Sequence, residues 1–179
     1  SLDRLRDKER SMDLSFGPQY DDFRSDVVNF LNNNSNKAPK GGDLRGEQAK
    51  DWQKLLIENG YTCRTIPKEY GGFGAEPDII KSRIIGEEFS KSRVNPGLGG
   101  QGISMLVPTL LEMGTEEQKQ KFIRPTIHGD MIWCQGYSEP GAGSDLASLT
   151  TAAVLDGDEW VVNCLLYTSP SPPDTNRSR

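Results

Sequence analysis

Phe23, Val27, Phe30 and Leu31 recur at the three- and four-residue steps that place side chains on one helical face, so "MDLSFGPQYDDFRSDVVNFL" predicts a first helix. The polar run "NNNSNKAPKGG" that follows reads as a loop. A second helix is predicted from about Glu47 to Asn59, with Trp52, Leu55 and Leu56 as its buried stripe and Gly60 as its left-handed stop. Beyond the turn-rich "IPKEYGGFG", Pro77 suits the first position of a third helix that turns Ile80, Ile84 and Phe89 inward. Ile103, Leu106, Val107, Leu110 and Leu111 share one face of a fourth helix, from about Ile103 to Met113, with Gly114 at its end. Thr115 and Gln118 make a capping-box pattern for a short fifth helix ending before Pro125.

The period changes at Met131. "MIWCQGYS", "SLTTAAV" and "EWVVN" read as strands, and "LDGDE" between the last two carries the Asp-Gly turn of a hairpin. The expectation is a mainly α chain: an N-terminal all-α domain over residues 12–129, then the first strands of a β domain over 130–163. No internal repeat interrupts this order.

Composition narrows the function classes. A chain of 179 residues holds one domain, or one and part of a second. A net charge of −5 argues against nucleic acid and against an anionic membrane surface. No apolar run approaches the roughly 18 residues of a membrane span, and no stretch reads as a secretory signal. Cys63, Cys134 and Cys164 are odd in number and far apart, which fits a reducing, cytoplasmic setting, with the mitochondrial matrix open if a transit peptide is missing. His128 is the single histidine, which excludes a multi-histidine metal site; in "TIHGD" it reads as a loop residue. The charged residues 1–11 lack an initiator and read as a non-native leader before Met12.

Three glycine-rich stretches compete for attention. "GLGGQG", Gly97–Gly102, spells the dinucleotide pattern, but a helix and Asn95-Pro96 precede it where a strand is required. Its glycines read instead as a loop for close helix packing. "EYGGFG" lacks the Lys-Ser/Thr of a phosphate loop. "GYSEPGAGSD", residues 136–145, is chemically coherent: Gly141, Ala142, Gly143 and Ser144 let backbone N–H groups converge on an anion, and Ser138 and Ser144 add hydroxyls. Trp133 and Tyr137 are placed to flank a planar ring. Composition alone leaves an ordinary surface loop equally open.

"WCQGYSEPGAGSDLASL", residues 133–149, resembles the flavin-contacting segment of the acyl-CoA dehydrogenases, and "PKEYGGFG", "GTEEQKQKFI" and "GDEWVVN" follow the family's order, so the resemblance covers roughly Met12 to Asn163. It implies a helical N-terminal domain, a central barrel-like β domain and a C-terminal four-helix domain around FAD, desaturating an acyl-CoA thioester between its α and β carbons. A carboxylate of the C-terminal domain removes the α proton while hydride passes from the β carbon to the flavin. Carried over residue by residue, Gln135, Tyr137, Ser138, Gly143 and Ser144 are the expected cofactor-binding residues. Tyr137 and Ser138 lie near the isoalloxazine, with Ser138 bonding its pyrimidine edge. Gly143 and Ser144 reach the diphosphate, and Ser144 also contacts the pantetheine arm of the substrate. The resemblance further implies an electron-transfer flavoprotein or similar acceptor and a homo-oligomer.

The likeness stops abruptly at Cys164. "CLLYTSPSPPDTNRSR" reads either as a disordered proline-rich ligand segment or, the favoured reading, as translated sequencing-adapter read-through at the end of a truncated frame. No residue is therefore assigned the base role, and Glu139 and Asp145 are read as loop-shaping acids. Two rivals stand beside this reading: an acyl-CoA oxidase or flavin monooxygenase-like relative of the same fold, and a non-catalytic helical interaction module.

Overall fold

The computed structural model describes residues 17–40, 46–134, 136, 138, 139 and 141–163. The expected leader, the start at Met12 and the tail over 164–179 lie outside these residues, as do two of the expected cofactor residues, Gln135 and Tyr137. The described residues are mostly helical, with one two-stranded sheet. Chain contacts divide between Trp133 and Cys134 into two units.

In the first unit, Pro18 opens α1 (Pro18–Asn34) where its missing N–H has no intrahelical partner to lose. Val27, Phe30 and Leu31 are buried along it, with Phe23 partly so. α2 (Glu47–Glu58) buries Trp52, Leu56 and Ile57, and the chain then turns at Gly60 with φ 71°. The Phe73 ring lies 2.6 Å from where a Cβ at Gly60 would sit, so shape as well as backbone conformation calls for glycine. α3 (Ile79–Ser92) adds Ile84, Ile85 and Phe89 to the same core. Phe30 packs against Trp52 and Tyr61 at ring-centroid distances of 5.9 and 4.6 Å. Arg24 of α1 forks onto Glu87 and Glu88 of α3, tying the two helices at their rim.

Three expectations about the helices need correction. Pro77 does not open α3: Asp78 caps it, accepting the Lys81 N–H at 2.9 Å, which satisfies a donor that proline cannot reach. The fourth helix is not continuous, because Gly102–Leu106 forms a π turn before α4 (Val107–Met113). Pro108 is the physical reason; its ring has no N–H to give to Ser104 and crowds that carbonyl in a regular α turn. α5 (Glu116–Ile127) keeps its capping box on Thr115 and Gln118 but runs through Pro125. Ile123 and Ile127 bracket that proline and are fully buried. Burying two such side chains, at about 1.5–3 kcal/mol each, offsets the roughly 3 kcal/mol of an interior proline. They join Ile57, Ile66, Tyr70 and Val107 in a second core cluster.

In the second unit, β1 (Ala152–Asp156) pairs antiparallel with β2 (Glu159–Asn163), Val154 opposite Val161. The two-residue turn is Gly157-Asp158, with Gly157 at φ 63° in the first central position. The strand expected over 131–138 is absent among the described residues there, which are bend or irregular with no ladder partner. The strand expected from Ser148 begins only at Ala152, because Leu146–Ser148 is a short 3-10 turn and the N–H groups of Thr150 and Thr151 are given to a carboxylate.

Candidate functional site

That carboxylate is Glu139. It accepts from the Thr150 N–H at 2.9 Å, the Thr150 hydroxyl at 2.7 Å, the Thr151 N–H at 2.6 Å and the Thr151 hydroxyl. The residue is only 4% exposed, and these donors, the Thr151 hydroxyl foremost, hold its pKa down to about 2. Glu139 also pairs with Ala142 in an isolated bridge, Ala142 N–H to Glu139 O at 3.1 Å. Asp145 closes the far end, accepting the Ser148 hydroxyl at 2.6 Å. The reading of both acids as shapers of the loop describes their contacts well.

The loop so held presents its small residues outward. Ser138, Gly141, Gly143 and Ser144 are exposed. A Cβ built on Gly141 or Gly143 meets no atom of the described residues within 4 Å, so packing against them is not why those positions are bare. The residues present offer an extended anionic group open backbone and two exposed hydroxyls, while the ionised Glu139 carboxylate is turned onto Thr150 and Thr151. Thr150 and Thr151 escaped the sequence reading. Their signal was a pair of hydroxyl residues eleven and twelve positions after a glutamate, which no periodicity reports.

The helical unit carries a separate cleft of about 390 Å³, bounded by the 95–103 segment, Thr126, Gly129 and residues 131–133. Gln53, fully buried in α2, fixes one wall: it donates to the Ile127 carbonyl and accepts the Leu98 N–H, both at 2.8 Å. Gly97 fits because a Cβ there would stand 2.5 Å from Gln53 Oε1. At the other end, Trp133 donates its indole N–H to the Thr126 hydroxyl at 2.8 Å and meets Phe122 edge-on at 5.7 Å. A Cβ on Gly102 would lie 2.6 Å from that indole. So Gly97 and Gly102 do serve close packing, as expected of "GLGGQG". Trp133, expected beside a planar ring, is anchored to α5.

His128 follows α5 as its C-cap, with Nε2 3.4 Å from the Gly71 carbonyl. Among the described residues no three His, Cys, Asp or Glu side chains converge as metal ligands, and no helix is long and apolar enough to cross a membrane.

The sequence profile of the acyl-CoA dehydrogenase N-terminal domain matches residues 18–130. The chain is 41% identical over 117 residues to the acyl-CoA dehydrogenase IpdE1 of Mycobacterium tuberculosis, a match covering 65% of this chain and 30% of that protein. Among solved structures, the Tcur3481-Tcur3483 steroid ACAD is 34% identical with a TM-score of 0.59, over 84% of this chain and 39% of the other. The ChsE4-ChsE5 complex from Mycobacterium tuberculosis is 31% identical with a TM-score of 0.58, over 84% and 38%. The chain thus spans less than half the length of the proteins it matches. With the profile covering most of the chain and the helical unit folding as those structures do, the chain belongs to the acyl-CoA dehydrogenase family.

Proposed function

We propose that this chain is the N-terminal part of an FAD-dependent acyl-CoA dehydrogenase, and that Gly141–Ser144 and Ser138 form its share of the flavin site. The observation that carries the reading is the Glu139 carboxylate gripping Thr150 and Thr151 while the glycines beside it face solvent with nothing packed on them. When bound, FAD supplies the hydride acceptor for α,β-desaturation. The chain's own part is to bind and orient. Gly143 and Ser144 offer N–H and hydroxyl donors to the diphosphate, Ser144 also to the pantetheine arm, and Ser138 to the pyrimidine edge of the ring. Gln135 and Tyr137 complete the set by the family resemblance.

Glu139 does not take the proton from the substrate in this scheme. A carboxylate whose lone pairs already serve four donors, with a pKa near 2, is a weak base and has no free face to offer. The base is expected from sequence beyond Asn163, as are further strands: Val154, Leu155, Trp160, Val161 and Val162 leave both faces of the hairpin exposed. The 179 residues alone should therefore hold FAD poorly and turn over nothing. An electron-transfer flavoprotein or similar acceptor and a homo-oligomer belong to the same proposal. The unpaired Cys63 and Cys134 are in keeping with a reducing compartment such as the cytoplasm.

The test is to extend the uninterrupted frame past Asn163 and purify the product. The proposal expects a yellow protein, bleached anaerobically by an acyl-CoA. A colourless product that refuses added FAD would contradict it and favour a helical interaction module. Reduced flavin that reoxidises rapidly in air would favour an acyl-CoA oxidase.

A further inference from the structure

We infer that a second hollow of the helical unit, where Lys54, Lys68 and His128 meet, is a binding site for a phosphate group, carried by a small ester or as inorganic phosphate. It shares no lining residue with the cleft beside Trp133. The inference does not depend on the dehydrogenase reading above.

The convergence of basic groups is the first observation, because three elements far apart in sequence supply them. Lys54 comes from α2, Lys68 from the 3-10 turn Lys68–Tyr70, and His128 from the end of α5. With Ile57, Glu58 and Phe73 they line a space of about 320 Å³. That lies within the roughly 300–1,000 Å³ range of small-molecule pockets. Arg124 adds a further cation at Gly71, which lines the same hollow. Its Nε stands 3.3 Å, and His128 Nε2 3.4 Å, from where a Cβ on Gly71 would lie.

Charge is the second. Glu58 is the only carboxylate on the lining, set against Lys54, Lys68 and the neighbouring Arg124. Lys68 and Arg124 have no ion pair among the described residues, and Lys54 has only Asp51, at 3.9 Å with both side chains exposed. Like charges gathered without close counter-ions repel one another, so collecting them does not serve the fold. Three cations against one lining carboxylate leave a surplus of two positive charges with His128 neutral, in a chain whose net charge is −5. A phosphate monoester brings about −1.5 to −2 at neutral pH and three acceptor oxygens, which matches that surplus and that number of donors. A carboxylate brings one charge and two oxygens.

The test uses the complete protein with FAD in excess, so that any flavin site is filled, and titrates it with inorganic phosphate and with AMP by calorimetry at low salt. Saturable binding of at least one probe is expected below about 10 mM, weakening as salt is raised. The double variant Lys54→Gln/Lys68→Gln, at two exposed positions, should weaken it about tenfold or more. Glu58→Gln removes the one lining carboxylate and should tighten it about threefold. AMP bound more tightly than phosphate would make an ester the ligand, with Ile57 and Phe73 as its apolar wall. Phosphate bound as tightly as AMP would make it the ion itself. Binding that survives the double variant unchanged lies elsewhere and would overturn the inference, as would no saturable binding of either probe below about 10 mM. Neither result touches the dehydrogenase reading, which the reduction of flavin by acyl-CoA decides separately.

Discussion

Glu139 takes two hydrogen bonds from Thr150 through a single oxygen, the N–H at 2.9 Å and the hydroxyl at 2.7 Å. Thr151 does the same at the other oxygen, so one side chain ties the entry of the glycine loop to the start of β1. Glu139→Gln keeps the shape but replaces one acceptor oxygen with an N–H₂ that confronts two donors. In the extended enzyme, flavin-to-protein absorbance should fall for Glu139→Gln and fall further for Glu139→Ala. Full occupancy in both would show that the loop does not need this anchor.

The same carboxylate gives a pH signature. Its folded-state pKa, about 2, lies below the ordinary 4.5. Its contribution is therefore fully present above pH 4.5 and falls away as pH drops toward 2. Hydrogen exchange at the Thr150 and Thr151 amides, corrected for intrinsic rates, should keep its protection through the upper part of that window and lose it toward the bottom. Protection that disappears already near pH 4.5 would mean the four bonds are not made.

Gln53 is the polar residue whose removal should cost most in the helical unit. Gln53→Leu fills the volume but leaves the Leu98 N–H and the Ile127 carbonyl without their partner. At about 1–3 kcal/mol for each of the two groups left unsatisfied, a loss of about 2–6 kcal/mol is expected, read as a lower denaturation midpoint. A change under about 0.5 kcal/mol would place water or a rearranged loop in the role given to Gln53.

The cysteines should separate by rate. Burial pushes the Cys63 thiol up to about 11, whereas Cys134 is exposed. With a disulfide reagent at neutral pH, Cys134 should react in the fast phase and Cys63, partly buried and with its thiol pushed up, in a slower one. Equal rates, followed by peptide mapping, would contradict the packing around α2.

Much of this was legible in the chain because local signals and tertiary packing agree. Phe23, Val27, Phe30 and Leu31 face the core, Thr115 caps α5, and Gly60 and Gly157 turn with positive φ. Some readings failed because a local rule was overruled by something distant in sequence. Pro125 sits mid-helix because Ile123 and Ile127 are held in the core, and Gln53 hides in the buried face of α2 because its partners lie 45 and 74 residues away. Among the described residues, those of 131–138 have no strand to pair with. The glycine loop was legible through family resemblance, but its anchoring by Thr150 and Thr151 was not.

Gly143→Val in the extended, FAD-loaded enzyme tests the central claim most directly. A Cβ at Gly143 meets nothing of the described residues within 4 Å and its backbone lies outside the left-handed region, so valine threatens neither their packing nor the backbone conformation. Flavin occupancy, measured by absorbance against protein, should collapse while far-ultraviolet circular dichroism from the helices stays at the wild-type level. If Gly143→Val instead holds FAD at full stoichiometry and turns over acyl-CoA, the loop is not bared for the cofactor and the roles given to Gly143 and Ser144 are wrong.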